Sequence, residues 1–137
     1  MTRQLNTVLT IRRRAEDEAL HSLAVAESMS RAAHDEVAAA TMDAQRPVDG
    51  DDAPSFTVAH DLSTRRGERR QRAAEQAAVA DAITDAARAT YSAARVQTEI
   101  ISKLLEKKAT EARENALVLE QKQLDDVTSA LWARDLA

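Results

Sequence analysis

The chain has 137 residues, a net charge of −4, 31% charged residues, 29 alanines, two glycines, two prolines, no cysteine and one each of Phe, Tyr and Trp. This composition excludes a thick aromatic core, a sheet with its many turns, and any disulfide or cysteine-based metal or redox site. It is typical of long helices and coiled coils, so we expect an all-α protein.

The first predicted element is a helix over about residues 4–44, which contain no glycine or proline. Small or apolar residues recur there at alternating steps of three and four, as in the seam of a coiled coil. The seam consists of Leu5, Leu9, Arg12, Glu16, Ala19, Leu23, Ala26, Ser30, Ala33, Val37 and Ala40, and it is interrupted by the polar residues Arg12, Glu16 and Ser30. Because alanine recurs in it, a partner helix can approach closely while each contact buries little surface.

Residues 45–62 are predicted to connect two helices. Pro47, Gly50 and Pro54 interrupt helices, and the intervening aspartates favour turns. This acidic stretch is followed at once by an arginine-rich stretch between Arg65 and Arg72. Either the acidic connection folds back on the basic helix start, or both are solvated surfaces, and the sequence leaves both interpretations open.

The second predicted helix covers about residues 63–134, with Gly67 as its only glycine. Its main apolar stripe has a mean spacing slightly above 3.5 residues, which allows local relaxation toward an eleven-residue repeat. The stripe consists of Ala80, Ile83, Ala87, Tyr91, Ala94, Thr98, Ile101, Leu105, Ala112, Ala116, Leu119 and Val127.

Together the elements predict one elongated domain over residues 1–137, a long antiparallel two-helix coiled-coil hairpin. The helices differ in length, so the first residues of the first helix are expected to lie beside about residue 105 of the second. Roughly 30 C-terminal residues, about 45 Å of helix, would then lack a partner. Either the second helix bends or breaks, most plausibly at Gly67, or this overhang binds another molecule.

The residues do not indicate an enzyme, a cofactor or a metal site. A two-helix hairpin has no interior in which polar groups could converge, and the three histidines lack ligand spacing. The acidic net charge disfavours nucleic-acid binding, and no apolar run spans a membrane, so we expect a cytoplasmic protein. Trp132 has two interpretations: it covers the end of the hairpin against Leu5 or Leu9, or it anchors a partner.

Two short segments resemble a known family. Residues 5–14, with Leu5, Val8, Leu9 and Arg12 before an Ala/Glu-rich helix, are similar to the start of FliJ, the flagellar type III export protein. The run Glu120-Gln121-Lys122-Gln123-Leu124-Asp125-Asp126 resembles the E-Q-K-x-L-D-E stretch near the end of that family and of its injectisome counterparts, the YscO group. The sequence does not separate the flagellar from the injectisome system.

The resemblance implies a two-helix coiled coil similar to the central stalk of rotary ATPases. It further implies a non-enzymatic export component that binds the export ATPase, promotes its hexamer assembly and activity, and contacts the cytoplasmic domain of the export gate. Export chaperones are further implied partners, and recruitment to the inner face of the cell membrane would occur through the apparatus. The connection at Pro47 to Pro54 departs from the family pattern, so residues that contact the gate are not transferred.

The resemblance and the exposed aromatic together give the expected partner-binding residues. They are Leu5, Leu9, Arg12, Arg13, Glu120, Gln121, Lys122, Leu124, Asp125 and Trp132. The alternative is a self-associating coiled-coil scaffold or tether with no role in export, motivated by the apolar overhang. A stalk subunit of an ion-pumping rotary ATPase is a weaker alternative, because such chains carry an inserted domain for which this connection is too short.

Overall fold

The computed structural model describes residues 2–48 and 53–136, and these residues form two helices. Helix α1 spans Thr2–Ala44 and helix α2 spans Ala53–Asp135, with 43 and 83 residues respectively. The helices pack against each other in antiparallel directions, because residues later in α1 contact residues earlier in α2. The predicted fold class, an all-α antiparallel two-helix hairpin, is confirmed.

The hairpin divides into two packing units, and both helices contribute to each. The first unit comprises Met1–Arg13 and Val96–Ala137, and the second comprises Arg14–Arg95. The first unit contains all ten residues that the sequence predicts to bind partners. The second contains most of the buried residues.

The core of the second unit is a seam of alanines. Ala26, Ala40, Ala73 and Ala77 are each 5% exposed or less, although none has a side chain larger than one methyl group. Such burial requires the backbones of α1 and α2 to run close together. Every predicted seam residue from Glu16 to Ala40 is buried or half-buried, so this part of the predicted seam is confirmed.

Between Ala80 and Leu105, where α2 packs on α1, the seam differs from the predicted stripe at one position. Ile83 was placed in the seam but is 53% exposed, whereas its neighbour Thr84 is buried. The Thr84 hydroxyl lies 2.9 Å from the carbonyl oxygen of Ala80 and 3.2 Å from that of Ala26 on α1. A small side chain with a satisfied hydroxyl therefore occupies the close approach that the bulkier isoleucine would not fit.

Helix α2 begins at Ala53, ten residues before the predicted start, so the prediction that residues 53–62 belong to the connection was wrong. Pro54 does not prevent this, because proline in the first turn of a helix removes no intrahelical hydrogen bond. The predicted turn residues Asp49, Gly50, Asp51 and Asp52 lie outside the described residues. The helix also continues through Gly67 without interruption.

The arginine-rich start of α2 packs against the end of α1. Arg69 Nη2 lies 2.9 Å from a carboxylate oxygen of Glu36, and Arg66 Nε lies 3.7 Å from one of Asp43. The Arg66 side chain also donates a 3.0 Å hydrogen bond to the carbonyl oxygen of Arg46. These arginines thus pair with acidic residues on α1. Both acidic residues precede the predicted connection at residues 45–62.

Candidate partner-binding site

Residues 109–136, which comprise the last part of α2 and Leu136 after it, are here called the C-terminal segment. Every side chain in it is exposed, whereas Leu105 and Lys108 just before it are half-buried. Helix α1 does not extend along this segment. The two helices are antiparallel, and the first residues of α1 lie beside the part of α2 that precedes the segment. The expectation that roughly 30 residues would lack a partner on α1 is confirmed by this exposure.

The C-terminal segment has two distinct faces, which follow from the turn of about 100° per residue in an α-helix. The first, here the leucine face, repeats at steps of three and four. It consists of Leu117, Glu120, Leu124, Val127, Leu131 and Arg134. The second, here the tryptophan face, lies about 150° around the helix. It consists of Lys122, Asp125, Ser129, Trp132 and Leu136.

The predicted C-terminal site residues are divided between these faces. Glu120 and Leu124 belong to the leucine face, and Lys122 and Asp125 belong to the tryptophan face. Gln121 lies between them, and its side-chain amide donates a 3.2 Å hydrogen bond to the carboxylate of Asp125. All five side chains are exposed, so each is accessible to a partner.

Trp132 does not cover the end of the hairpin. Its side chain is 67% exposed, so it does not pack against Leu5 or Leu9, and that interpretation was wrong. An aromatic side chain left in water on a helix surface is a frequent anchor for a partner, because its burial supplies a large area at low entropic cost. The second interpretation, a partner anchor, therefore stays a prediction.

The predicted N-terminal site residues have mixed environments. Leu9 is only 9% exposed and Leu5 is half-buried, so both help to hold α1 against α2. The Arg12 guanidinium donates a hydrogen bond to the side-chain oxygen of Gln97. Arg13 is exposed on the neighbouring face. Among these four, the arginines are the groups that can meet a partner without opening the hairpin.

The two predicted terminal segments do not form one continuous surface. The hydrogen bond between Arg12 and Gln97 fixes where α1 lies along α2. Glu120 follows Gln97 by 23 residues, which is about 35 Å of helix. A partner that binds both segments must therefore extend along the first unit for several helical turns.

The second unit contains a polar cluster that the sequence analysis did not identify. Ser30 Oγ donates a 2.7 Å hydrogen bond to Asp81, and His34 Nε2 lies 2.9 and 3.0 Å from the two Asp81 oxygens. The hydrogen bond from Ser30, then that from His34 and its charge, lower the pKa of Asp81 below its usual value. The only sequence signal was Ser30, a polar residue within the seam.

This cluster resembles a catalytic triad in composition but not in geometry. A nucleophilic serine must donate its proton to the histidine, which the aspartate orients from the other side. Here the hydroxyl of Ser30 donates to Asp81 instead. The cluster therefore links α1 to α2 and does not activate the serine.

An apolar groove also lies in the second unit, between the two helices. It is lined by Met29, Val79 and Ile83 at its exposed edges and by Ala26 and Ala80 at its floor. The three larger side chains are each more than half exposed. A concave apolar surface of this kind can accept the apolar side of a partner helix.

Comparison with known proteins identifies the family. The family model described as "Flagellar FliJ protein" matches residues 1–137, so the resemblance in the two terminal segments extends to the whole sequence. No curated protein and no solved structure is significantly similar to the chain. Within the described residues, no helix has the length and apolar character that a membrane span requires.

The family match bears directly on the expected role. Proteins of this family are non-catalytic components of flagellar type III protein export. The match thus favours an export component over a tether with no role in export. Because the match covers the full sequence, the chain belongs to the flagellar FliJ protein family.

Proposed function

We propose that this chain is a non-enzymatic, stalk-like component of the flagellar export apparatus. It binds the export ATPase, promotes assembly and activity of the hexamer, and links it to the cytoplasmic domain of the export gate, with export chaperones as further partners. It acts in the cytoplasm and reaches the inner face of the membrane through the apparatus. The observation that carries this proposal is the C-terminal segment, a long helix that α1 leaves exposed on every side.

The tryptophan face is the part of the segment that we assign to the ATPase. Trp132 supplies an apolar anchor, and Lys122 and Asp125 supply charges of both signs beside it. Binding energy at protein interfaces concentrates in such aromatic anchors, with charged groups at the rim setting orientation. A single exposed helix is also narrow enough to enter the central opening of the ATPase hexamer from one end.

Arg12 and Arg13 form the proposed second contact with the ATPase. They lie about 35 Å along the first unit from Glu120, so they meet a different level of the ring. Leu5 and Leu9 support this contact indirectly, because their burial holds the start of α1 in place. A stalk that is held at two levels is oriented as well as bound.

The apolar groove of the second unit is the proposed contact with the gate. It belongs to a separate packing unit from the C-terminal segment, so the two partners do not compete for the same side chains. An exposed apolar concavity with Val79 and Ile83 at its edge suits an amphipathic helix of the partner. Ile83→Lys is expected to abolish gate binding while ATPase stimulation is retained.

The test of ATPase binding compares two exposed apolar residues of the same segment. Trp132→Ala should raise the concentration required for half-maximal stimulation of the cognate export ATPase at least about tenfold. Leu119→Ala is the matched control, because Leu119 is similarly exposed but lies on neither face. The chain alone should hydrolyse no ATP. Equal effects of the two variants, or no stimulation by the unchanged chain, would contradict the proposal.

A further inference from the structure

The leucine face is not used by the hairpin or by the contacts proposed above. Within the first unit, the side of α2 that packs on α1 includes Ile101 and Leu105, and at about 100° per residue it continues through Ala112 and Leu119. The leucine face is rotated by about 85° from that side. Its apolar residues therefore do not extend the seam of the hairpin, and α1 would not cover them even if it were longer. They include Val127, which the sequence had placed in the main stripe of α2.

We propose that a second copy of this chain covers the leucine face, with the two C-terminal segments packed as an antiparallel coiled coil. Leu117, Leu124, Val127 and Leu131 recur at steps of seven, three and four, which is the spacing that such pairing requires. Each of the four side chains is more than half exposed, so each has surface to bury. Exposed apolar residues in one continuous row mark an interaction surface.

The charges within this row determine the orientation of the second copy. The leucine face carries Glu120 near one end and Arg134 at the other, and Arg113 continues the same row four residues before Leu117. In a parallel pair in register, Glu120 would face Glu120 and Arg134 would face Arg134. Such like-charge contacts disfavour an arrangement strongly. An antiparallel pair instead brings each glutamate to the end that carries the other copy's arginine.

The register of the antiparallel pair follows from the same row. When the pair is centred between Leu124 and Val127, Leu124 of each copy packs against Val127 of the other. The same centre places Leu131 opposite Glu120 and Leu117 opposite Arg134, so Glu120 and the arginine of the second copy lie in neighbouring layers. These layers are one helical turn apart, within reach of the long arginine side chain. Two such ion pairs form in each dimer.

The pairing is weak and depends on concentration. Only four apolar side chains from each copy are buried, which places the interface at the small end of the range for specific complexes. A small interface of this kind predicts a dissociation constant in the micromolar range. The chain is therefore a monomer when dilute and a dimer when concentrated.

The first experiment measures mass by sedimentation equilibrium on the full chain across the micromolar range. The mass should rise from the 15.0 kDa of one chain toward twice that value. Leu124→Lys should raise the dissociation constant at least about tenfold, because the ammonium group would be buried without a partner. Leu119→Lys is the matched control and should dimerise as the unchanged chain does, since these leucines are 58% and 60% exposed. Circular dichroism should show equal helix content in all three proteins.

The second experiment tests the orientation by exchanging charges. Glu120→Arg alone and Arg134→Glu alone should each weaken the dimer about fivefold, because each replaces two ion pairs with like-charge contacts. The double variant Glu120→Arg with Arg134→Glu should recover the affinity of the unchanged chain. A loss in each single variant followed by recovery in the double variant is expected only for the antiparallel pair. In a parallel pair each position faces its own copy, so all four proteins would have like-charge contacts and similar affinities.

Three results would overturn the inference. They are a mass that stays at 15.0 kDa at all concentrations, equal effects of the two lysine variants, and a double charge exchange without recovery. A monomeric chain whose Leu124→Lys variant loses binding to the export ATPase would assign the leucine face to that partner instead. The inference does not rest on the proposed function: ATPase binding is tested through Trp132, and dimerisation is measured without any ATPase.

Discussion

Replacing Ala40 by leucine tests whether the alanine seam of the second unit is as tightly packed as the structure indicates. Ala40 is fully buried, with an exposure of 0%. Leucine adds three carbon atoms, and their transfer from water would stabilise the fold by about 2.4 kcal/mol if the interface had room for them. With no room, the same atoms force the helices apart or adopt unfavourable rotamers, at a net cost of typically about 1–3 kcal/mol.

The close approach of the helices decides between these effects. Ala26, Ala73 and Ala77 are also almost completely buried in the same unit. If α1 and α2 moved apart to admit a leucine at position 40, these alanines would lose their contacts as well, because their side chains are too short to follow. We therefore expect Ala40→Leu to lower the free energy of unfolding by about 1–3 kcal/mol.

Urea denaturation followed by helix circular dichroism provides the measurement, with Ala39→Leu as the matched control. Ala39 lies on the same helix but is exposed, and leucine has nearly the helix propensity of alanine. The control should stay within about 0.5 kcal/mol of the unchanged chain. If Ala40→Leu is as stable as Ala39→Leu, or more stable, the interface has space that our reasoning excludes.

Three further predictions concern other parts of the molecule. The pKa of Asp81 is lowered, first by the hydrogen bond from Ser30, so its contribution to stability is complete above the unfolded pKa of about 4 and is lost as the pH falls below it. The difference in urea midpoint between the unchanged chain and Asp81→Asn should therefore shrink below about pH 4, and a constant difference would contradict this. Gly67→Ala should stabilise the fold by about 0.5–1 kcal/mol in the same assay, because the added methyl group meets nothing within 4 Å, and any loss of stability would contradict this. Gln121→Ala with Lys122→Ala should weaken ATPase stimulation without reducing helix content, and unchanged stimulation would remove these residues from the site.

The sequence predicted the seam of α1 well from Glu16 to Ala40 because the alternating steps of three and four continue there through the polar residues Glu16 and Ser30. It failed at Ile83 because hydrophobicity alone favours isoleucine, whereas the close approach of the helices favours the small Thr84. It also placed the start of α2 too late. Pro54 was interpreted as a helix breaker, although proline at the first turn of a helix is compatible with helical structure. Both errors concern local geometry that composition and periodicity do not specify.

The candidate site was predicted in part. The exposure of the C-terminal segment followed from unequal helix lengths. Trp132 is exposed on this segment, as its interpretation as a partner anchor requires. The burial of Leu9 could not be separated from a binding role, because a seam residue and a contact residue have the same apolar character. The cluster of Ser30, His34 and Asp81 depends on contacts between residues about 50 positions apart, which periodicity along one helix does not reveal.

The exposed C-terminal segment also has a consequence for how fast its backbone amides exchange with solvent deuterium. The paired part of α2 already supplies the costly helix nucleus, so residues 109–136 require only propagation. Without packing against another helix, each further turn is held by little more than its own hydrogen bonds, and fraying begins at the far end. Protection should therefore decline steadily from residue 109 toward residue 136. Any molecule that binds this segment would replace that gradient with uniform slow exchange, which would locate the bound stretch residue by residue.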